Sequence, residues 1–397
     1  MPGTLEAQTL VATPPIRRGV GPWGVILGTL SAAWILAYTC MTHQVRKLPT
    51  LPTPAFPRNR WLDAWVRWDA GWYATIARTG YHYTPGEQSS VAYFPAYPLA
   101  IRWLGALIGN VFLAGILITI ACGVGYLRLA YHWFAQRLTP AGTWCAFLVL
   151  CWYPFAFYLY GPVYSDALFA LCALAAFVLL ERDRPVLAGV LGAVATATRP
   201  VGIAVVIGLV ALVLTRREVL VWNGRLVVRL HNLRLCDFGV LLSLTGVAAY
   251  LVYLGVRFGD PLVFMHAEAG WDQAPGYETW LKFPLLRALG EGQEAVWIWR
   301  HGMHFLAGVL GLALLPRVLR RFGLAYALYA FVIIAIPMLS TKDFFSTGRY
   351  LLPAFPCFAA AGDLLAPHRR LRVAVLAGCV AFLGVYVYLF ARGHYVA

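Results

Sequence analysis

The chain has 397 residues, of which 60% are hydrophobic and only 12% charged, and its mean hydropathy is +0.68. That apolar share excludes an ordinary soluble domain and places the chain in a bilayer. The formal charge of +15 does not point to nucleic acid: the basic residues are scattered between apolar runs, where anionic headgroups and lipid phosphates suit them as partners.

Residues 1–19 are polar and proline-containing, with Arg17 and Arg18 ahead of the first apolar run. They read as a cytoplasmic tail without a cleavable signal peptide. Taking roughly 20 apolar residues per crossing and allowing shorter pieces inside a bundle, about eleven spans follow. Residues 20–41 lead out to a first external loop, 42–110, which holds amphipathic helices at the membrane surface. Spans follow at 111–134, 142–160 and 165–180. Residues 185–214 are too long for one span and short for two, and the Thr198-Arg199-Pro200 break predicts a hairpin of short helices. Span 238–256 leads to a second external loop, 257–300, and spans at 303–315, 324–339, 350–364 and 373–390 complete the chain. Short connections rich in arginine, such as Arg317, Arg320 and Arg321, support this orientation. The predicted fold class is an all-α polytopic membrane protein, with 20–397 as one transmembrane domain and the two external loops forming its active face. Most of the eight cysteines sit inside apolar runs and show no metal-ligand spacing.

Just after the first span, Trp61, Trp65, Trp68 and Trp72 recur at steps of four, three and four. A continuous helix would line them along one face at the membrane surface. Asp69 lies beside that stripe. It reads either as a partner of Arg67 or a helix cap, or as a partly desolvated carboxylate with chemistry to do.

The run Arg67-Trp68-Asp69-Ala70-Gly71-Trp72-Tyr73, followed by Tyr81 and by Phe94-Pro95-Ala96-Tyr97-Pro98, resembles the PIG-V family of mannosyltransferases, which build glycosylphosphatidylinositol anchors, and its bacterial relatives. Tyr164-Ser165-Asp166, Thr198-Arg199-Pro200, Phe258-Gly259-Asp260-Pro261 and Gly348-Arg349-Tyr350 extend the series in order to about residue 355. The resemblance implies a GT-C bundle that moves a hexose, mannose in this family, from a polyprenyl-phosphate sugar donor to a glycolipid or other glycan acceptor on the non-cytoplasmic side, with inversion. It implies no cofactor and no metal. The compact, arginine- and alanine-rich chain suits a bacterial plasma membrane; a eukaryotic chain would act in the endoplasmic reticulum lumen. The alternative class is a transporter or lipid flippase, which also uses broken helices and embedded charge.

Glycosyl transfer needs a base, cations for the departing phosphate, and a wall for the sugar. With the resemblance, Asp69 is the candidate base. Arg349, Arg199 and Lys342 are candidates for the phosphate, although Arg349 also reads as a snorkelling arginine and Arg199 as a structural partner of Asp166. Asp166 reads as a helix cap or as a group orienting the acceptor. Candidate sugar or acceptor contacts are Arg67, Trp68, Trp72, Tyr73, His82, Tyr93, Tyr97, Tyr164, His266 and Glu268, the last also a possible second carboxylate.

Overall fold

Among the described residues, five helical stretches are long and apolar enough to cross a membrane: Pro22–Cys40, Val111–Ala135, Leu235–Phe258, Trp297–Phe322 and Arg369–Ala391. The computed structural model describes residues 20–42, 51, 54–222, 226–273, 276–292 and 295–396; the expected cytoplasmic tail of 1–19 lies outside them. In chain order the helices are α1 Pro22–Cys40, α2 Arg60–Asp63, α3 Asp69–Thr79, α4 Ala96–Ile108, α5 Val111–Ala135, α6 Pro140–Trp152, α7 Asp166–Glu181, α8 Pro185–Thr196 and α9 Ile203–Arg216. A two-stranded antiparallel hairpin, β1 Leu220–Trp222 with β2 Leu226–Val228, follows. The second half holds α10 Thr245–Phe258, α11 Val263–Ala267, α12 Tyr277–Trp280, α13 Phe283–Gly290, α14 Ala295–Phe322, α15 Leu324–Ser340, α16 Thr347–Tyr350, α17 Phe355–Leu365 and α18 Arg369–Ala391.

Local chemistry explains most of these boundaries. The Asn110 side chain accepts hydrogen bonds from the amides of Phe112 and Leu113 and starts α5, while Thr139 caps α6 with Pro140 at its first position. The Thr198-Arg199-Pro200 break separates α8 from α9 as the proline requires. Packing exploits small residues, because in lipid close approach replaces hydrophobic exclusion as the adhesive. A Cβ added at Gly189 would lie 1.9 Å from the carbonyl oxygen of Gly239, so α8 and the 3-10 stretch Leu235–Leu244 touch backbone to backbone.

Four expectations need correction. The tryptophan stripe is not one helix: α2 has a single turn, and Trp68 stands at φ 50°, ψ −109° before α3 begins. Trp65 is consequently buried against Trp34 and Phe390, while Trp61 stacks on Tyr38. The span expected at 142–160 is α-helical only to Trp152, after which buried chain with a 3-10 turn at Ala156–Leu159 leads to α7. The loop expected at 257–300 ends earlier, because α14 begins at Ala295 and runs far beyond the expected 303–315. The span expected at 350–364 is broken at Pro353 into α16 and α17.

Six helical ends converge on one end of the bundle: the starts of α3, α7, α14 and α16, the end of α15, and the break before α9. At about 1.5 Å per residue, the far end of α7 lies some 24 Å away. There arginines meet carboxylates, as in Arg137–Glu181 at 2.6 Å and Arg317–Asp363 at 2.7 Å. A small second core of Val91, Phe94, Tyr250, Leu254, Val263 and Ala267 ties the segment between α3 and α4 to α10 and α11. That core brings Glu268 to the converging end.

Candidate active site

The converging ends surround a cleft of about 1070 Å³ lined by Asp69, Tyr73, Tyr93, Arg199, Glu268 and Arg349, among others. Asp69 reaches it because of the kink before α3. Arg67 turns inward and donates to the carbonyls of Asp63, Val66 and Ala391, which anchors the chain. Trp68 takes its positive φ, and Asp69 becomes the first residue of α3, its amide bonded to the Tyr164 hydroxyl at 3.3 Å. A carboxylate in the first helical turn also gains from the helix dipole.

One oxygen of Asp69 accepts from the Tyr93 hydroxyl at 3.4 Å, and the other meets Arg349 Nη1 at 3.2 Å. Burial pushes the Asp69 carboxyl up, and the Arg349 charge opposes that shift. Arg349 Nε lies 3.6 Å from Asp166 Oδ1, and Asp166 forms a closer ion pair with Arg199. The result is a chain of alternating charge, Asp69 to Arg349 to Asp166 to Arg199, with all four side chains buried. Tyrosine rings insulate it: Arg199 lies 4.0 Å from the Tyr350 ring centroid, and Arg349 lies 5.3 Å from those of Tyr158 and Tyr164. α16, which carries Arg349, is held by Gly348. Its amide donates to His304 and its carbonyl accepts from Tyr153, while an added Cβ would strike the Phe155 ring.

Arg349 is therefore no headgroup-seeking arginine, and Arg199 pairs with Asp166 while still lining the cleft. Lys342 also lines it, its ammonium 3.6 Å from the exposed Asp272. Trp72 stacks between His82 and Tyr93 and meets Trp271 edge-on, forming an aromatic wall behind the cleft. Tyr73 bonds Ser165 at 2.9 Å.

Other expected contacts lie elsewhere. Arg67 is fully buried, its two terminal nitrogens on backbone carbonyls and the Asp63 carboxylate 3.5 Å away, so a sugar cannot reach it. Tyr97 is buried and bonds Gly115 and Thr119. Tyr164 supports the start of α3 from beneath. His82 is held by Ser90 and His266 by Asp260, both off the cleft. Trp271, whose loop has the mix of acids and aromatics that suits a sugar, lines the cleft, and sequence reasoning passed over Arg300, His301, Phe345 and Tyr395, which line it too. Their signal was present only as aromatic and basic residues at loop ends and at the chain terminus.

Burial, with the Asp69 charge nearby, pushes the Glu268 carboxyl up to about 7. A carboxyl raised in the fold is neutral in both states at low pH and costs stability as pH rises from its unfolded to its folded value, with no further loss above the latter. Relative to the wild type, Glu268→Gln is expected to gain thermal stability as pH rises from about 5 to about 7 and to hold that gain above it. Parallel melting curves across that range would show that Glu268 is solvated.

No protein-family model matches the chain, and no curated protein matches it. Among solved structures it is similar to ArnT from Cupriavidus metallidurans bound to undecaprenyl phosphate, at 15% identity over 93% of this chain and 76% of that one, with a TM-score of 0.50. It is also similar to the archaeal oligosaccharyltransferase AglB from Archaeoglobus fulgidus in complex with an inhibitory peptide and a dolichol-phosphate, at 12% identity over 92% of this chain and 55% of that one, TM-score 0.46. A third likeness is to the arabinofuranosyltransferase AftD from Mycobacteria, at 13% identity over 92% of this chain and 27% of that one, TM-score 0.46. The chain thus spans about half the length of AglB. The likeness to ArnT establishes the fold alone: an all-α polytopic membrane protein with the helical architecture of that structure.

Proposed function

We propose that this chain is a membrane glycosyltransferase that moves a hexose, with mannose as the first candidate, from a polyprenyl-phosphate donor to a glycolipid or other glycan acceptor. The single observation that carries this reading is a buried, arginine-paired aspartate at the wall of a cleft of about 1070 Å³. The ordered motif series supports it, as does a fold shared with a protein that binds undecaprenyl phosphate. The polar groups of the cleft gather at one end of the helices, which favours transfer over the alternative of a transporter or flippase. The arginine-rich far end suits the cytoplasm, so the cleft faces outward from a bacterial plasma membrane.

In this reading Asp69 takes the proton of the acceptor hydroxyl. The hydroxyl oxygen attacks the anomeric carbon, the bond from that carbon to the phosphate oxygen breaks, and the phosphate leaves with the electron pair, inverting the centre. Arg349 is poised to meet the phosphate, but its charge is already shared by Asp69 and Asp166, so the four-residue network is neutral as a whole. Added attraction comes from Lys342, whose carboxylate partner is solvent-exposed, and from Arg300, which donates to the Tyr395 carbonyl. The rings of Tyr93 and Trp271 at the cleft wall, backed by Trp72, offer a surface for the sugar.

The test is transfer by the wild-type protein in liposomes. Label is expected to pass from polyprenyl-phosphate mannose to glycan acceptors and not from a nucleotide sugar. Transfer from another polyprenyl-phosphate hexose in its place would change the sugar and keep the reaction. Silence with every lipid donor tried would return the chain to the transporter class.

A further inference from the structure

We propose that Tyr395, supplied by the segment after α18, contacts the substrate and donates a hydrogen bond from its hydroxyl to the transferred sugar. The proposal rests on the glycosyl-transfer reading of the cleft. α18 ends at Ala391, and Gly393, at φ 80°, turns the chain back; the amides of Gly393 and His394 bond the carbonyls of Phe390 and Leu389. That turn returns the next residues toward the bundle. Val396 is buried, and the carbonyl of Tyr395 accepts from Arg300 Nη1 at 3.1 Å.

The ring of Tyr395 is held between Trp68, at a centroid distance of 4.9 Å, and Phe345, at 5.3 Å. Trp68 is the residue with φ 50° and ψ −109°, a strained conformation for a residue with a Cβ. Strain of this kind persists only where surrounding contacts enforce it. Here it places the Trp68 indole on Tyr395 and the next residue, Asp69, in the cleft. The tail is thereby keyed to the helix that carries the candidate base.

Tyr395 lines the cleft together with Asp69, Glu268 and Arg349, and these three are among the charged groups acting on its phenol. Among the described residues its hydroxyl has no hydrogen-bond partner. A phenol fixed by its backbone and by neighbouring rings, with its oxygen uncommitted at a cleft wall, is a preorganised donor. A merely structural plug would need only the ring, and that difference is what the experiment reads.

The full-length protein in nanodiscs is titrated with undecaprenyl phosphate and, separately, with polyprenyl-phosphate mannose, and transfer is measured alongside. Tyr395→Phe keeps the ring and removes one neutral hydrogen bond, so binding of the sugar-bearing donor, or its kcat/KM, is expected to fall about 3- to 10-fold. Binding of undecaprenyl phosphate and the melting temperature are expected to stay unchanged. Tyr395→Ala, which also opens the wall, is expected to lose more on the sugar-bearing donor. A Tyr395→Phe protein equal to an active wild type on both ligands overturns the sugar contact and leaves the glycosyltransferase reading standing. Equal weakening on both ligands also overturns it, by assigning the hydroxyl to the phosphate. A wild type that binds neither ligand overturns both readings together.

Discussion

Asp69→Asn is expected to lower kcat for sugar transfer by 10²- to 10⁴-fold, the range that a positioned general base contributes, equivalent to about 2.7–5.5 kcal/mol of barrier. The substitution is nearly isosteric and retains an acceptor for the Tyr93 hydroxyl, so the start of α3 has no steric reason to move. What it removes is the proton acceptor and one negative charge from the network. Arg349 then faces only Asp166, at 3.6 Å, and the network passes from neutral to a net charge of +1. The donor phosphate should meet a less compensated guanidinium, so KM for the lipid donor is expected to stay level or fall while kcat collapses. A purely structural role for Asp69 would instead lower folded yield, and a role in binding would raise KM. Steady-state kinetics at matched folded yield separate the three. If kcat survives, the base must be sought at Glu268, the other cleft carboxylate named from the sequence.

The parts of this architecture that depend on local composition were legible in the sequence. Apolar runs marked the spans, and the Thr198-Arg199-Pro200 break fell where a proline must interrupt a helix. Asp69, Asp166, Arg199 and Arg349 could each be singled out, because an ionised group beside apolar chain needs a reason to be there. Their joining into one network was not legible, since Asp69 and Arg349 are 280 residues apart and no periodicity encodes that contact. The tryptophan stripe misled because helical spacing was extrapolated through Trp68, whose positive φ is imposed by tertiary contacts. Arg67 stood inside the most telling motif, yet it serves the kink through backbone carbonyls. Tyr395 was invisible for a related reason: a short polar segment after a span looks like a solvated end until Arg300 and Trp68 are seen to hold it.

The buried network makes a second large prediction, one of sign as well as size. Asp166 is the shared anion, paired with Arg199 and also facing Arg349. Asp166→Asn leaves the buried guanidinium of Arg199 without its carboxylate, and breaking a buried pair from one side costs about 3–5 kcal/mol. Arg199→Met should cost less, because Asp166 keeps Arg349 as a counter-charge, while the methionine fills part of the space over Tyr350. In the Asp166→Asn background the same Arg199→Met change removes an uncompensated cation and is expected to raise stability. Arg199→Met should therefore destabilise the wild type and stabilise the Asp166→Asn variant, a reversal that independent contributions cannot produce. Apparent melting temperatures of the four proteins in one detergent decide the matter. Additive losses would mean that Arg199 reaches solvent or lipid phosphate instead of Asp166, and its place in the network would have to be given up. A reversal would show that Asp166 keeps two arginines at the cleft by charge balance, so that Arg349 can hold Asp69 ionised before a donor phosphate arrives.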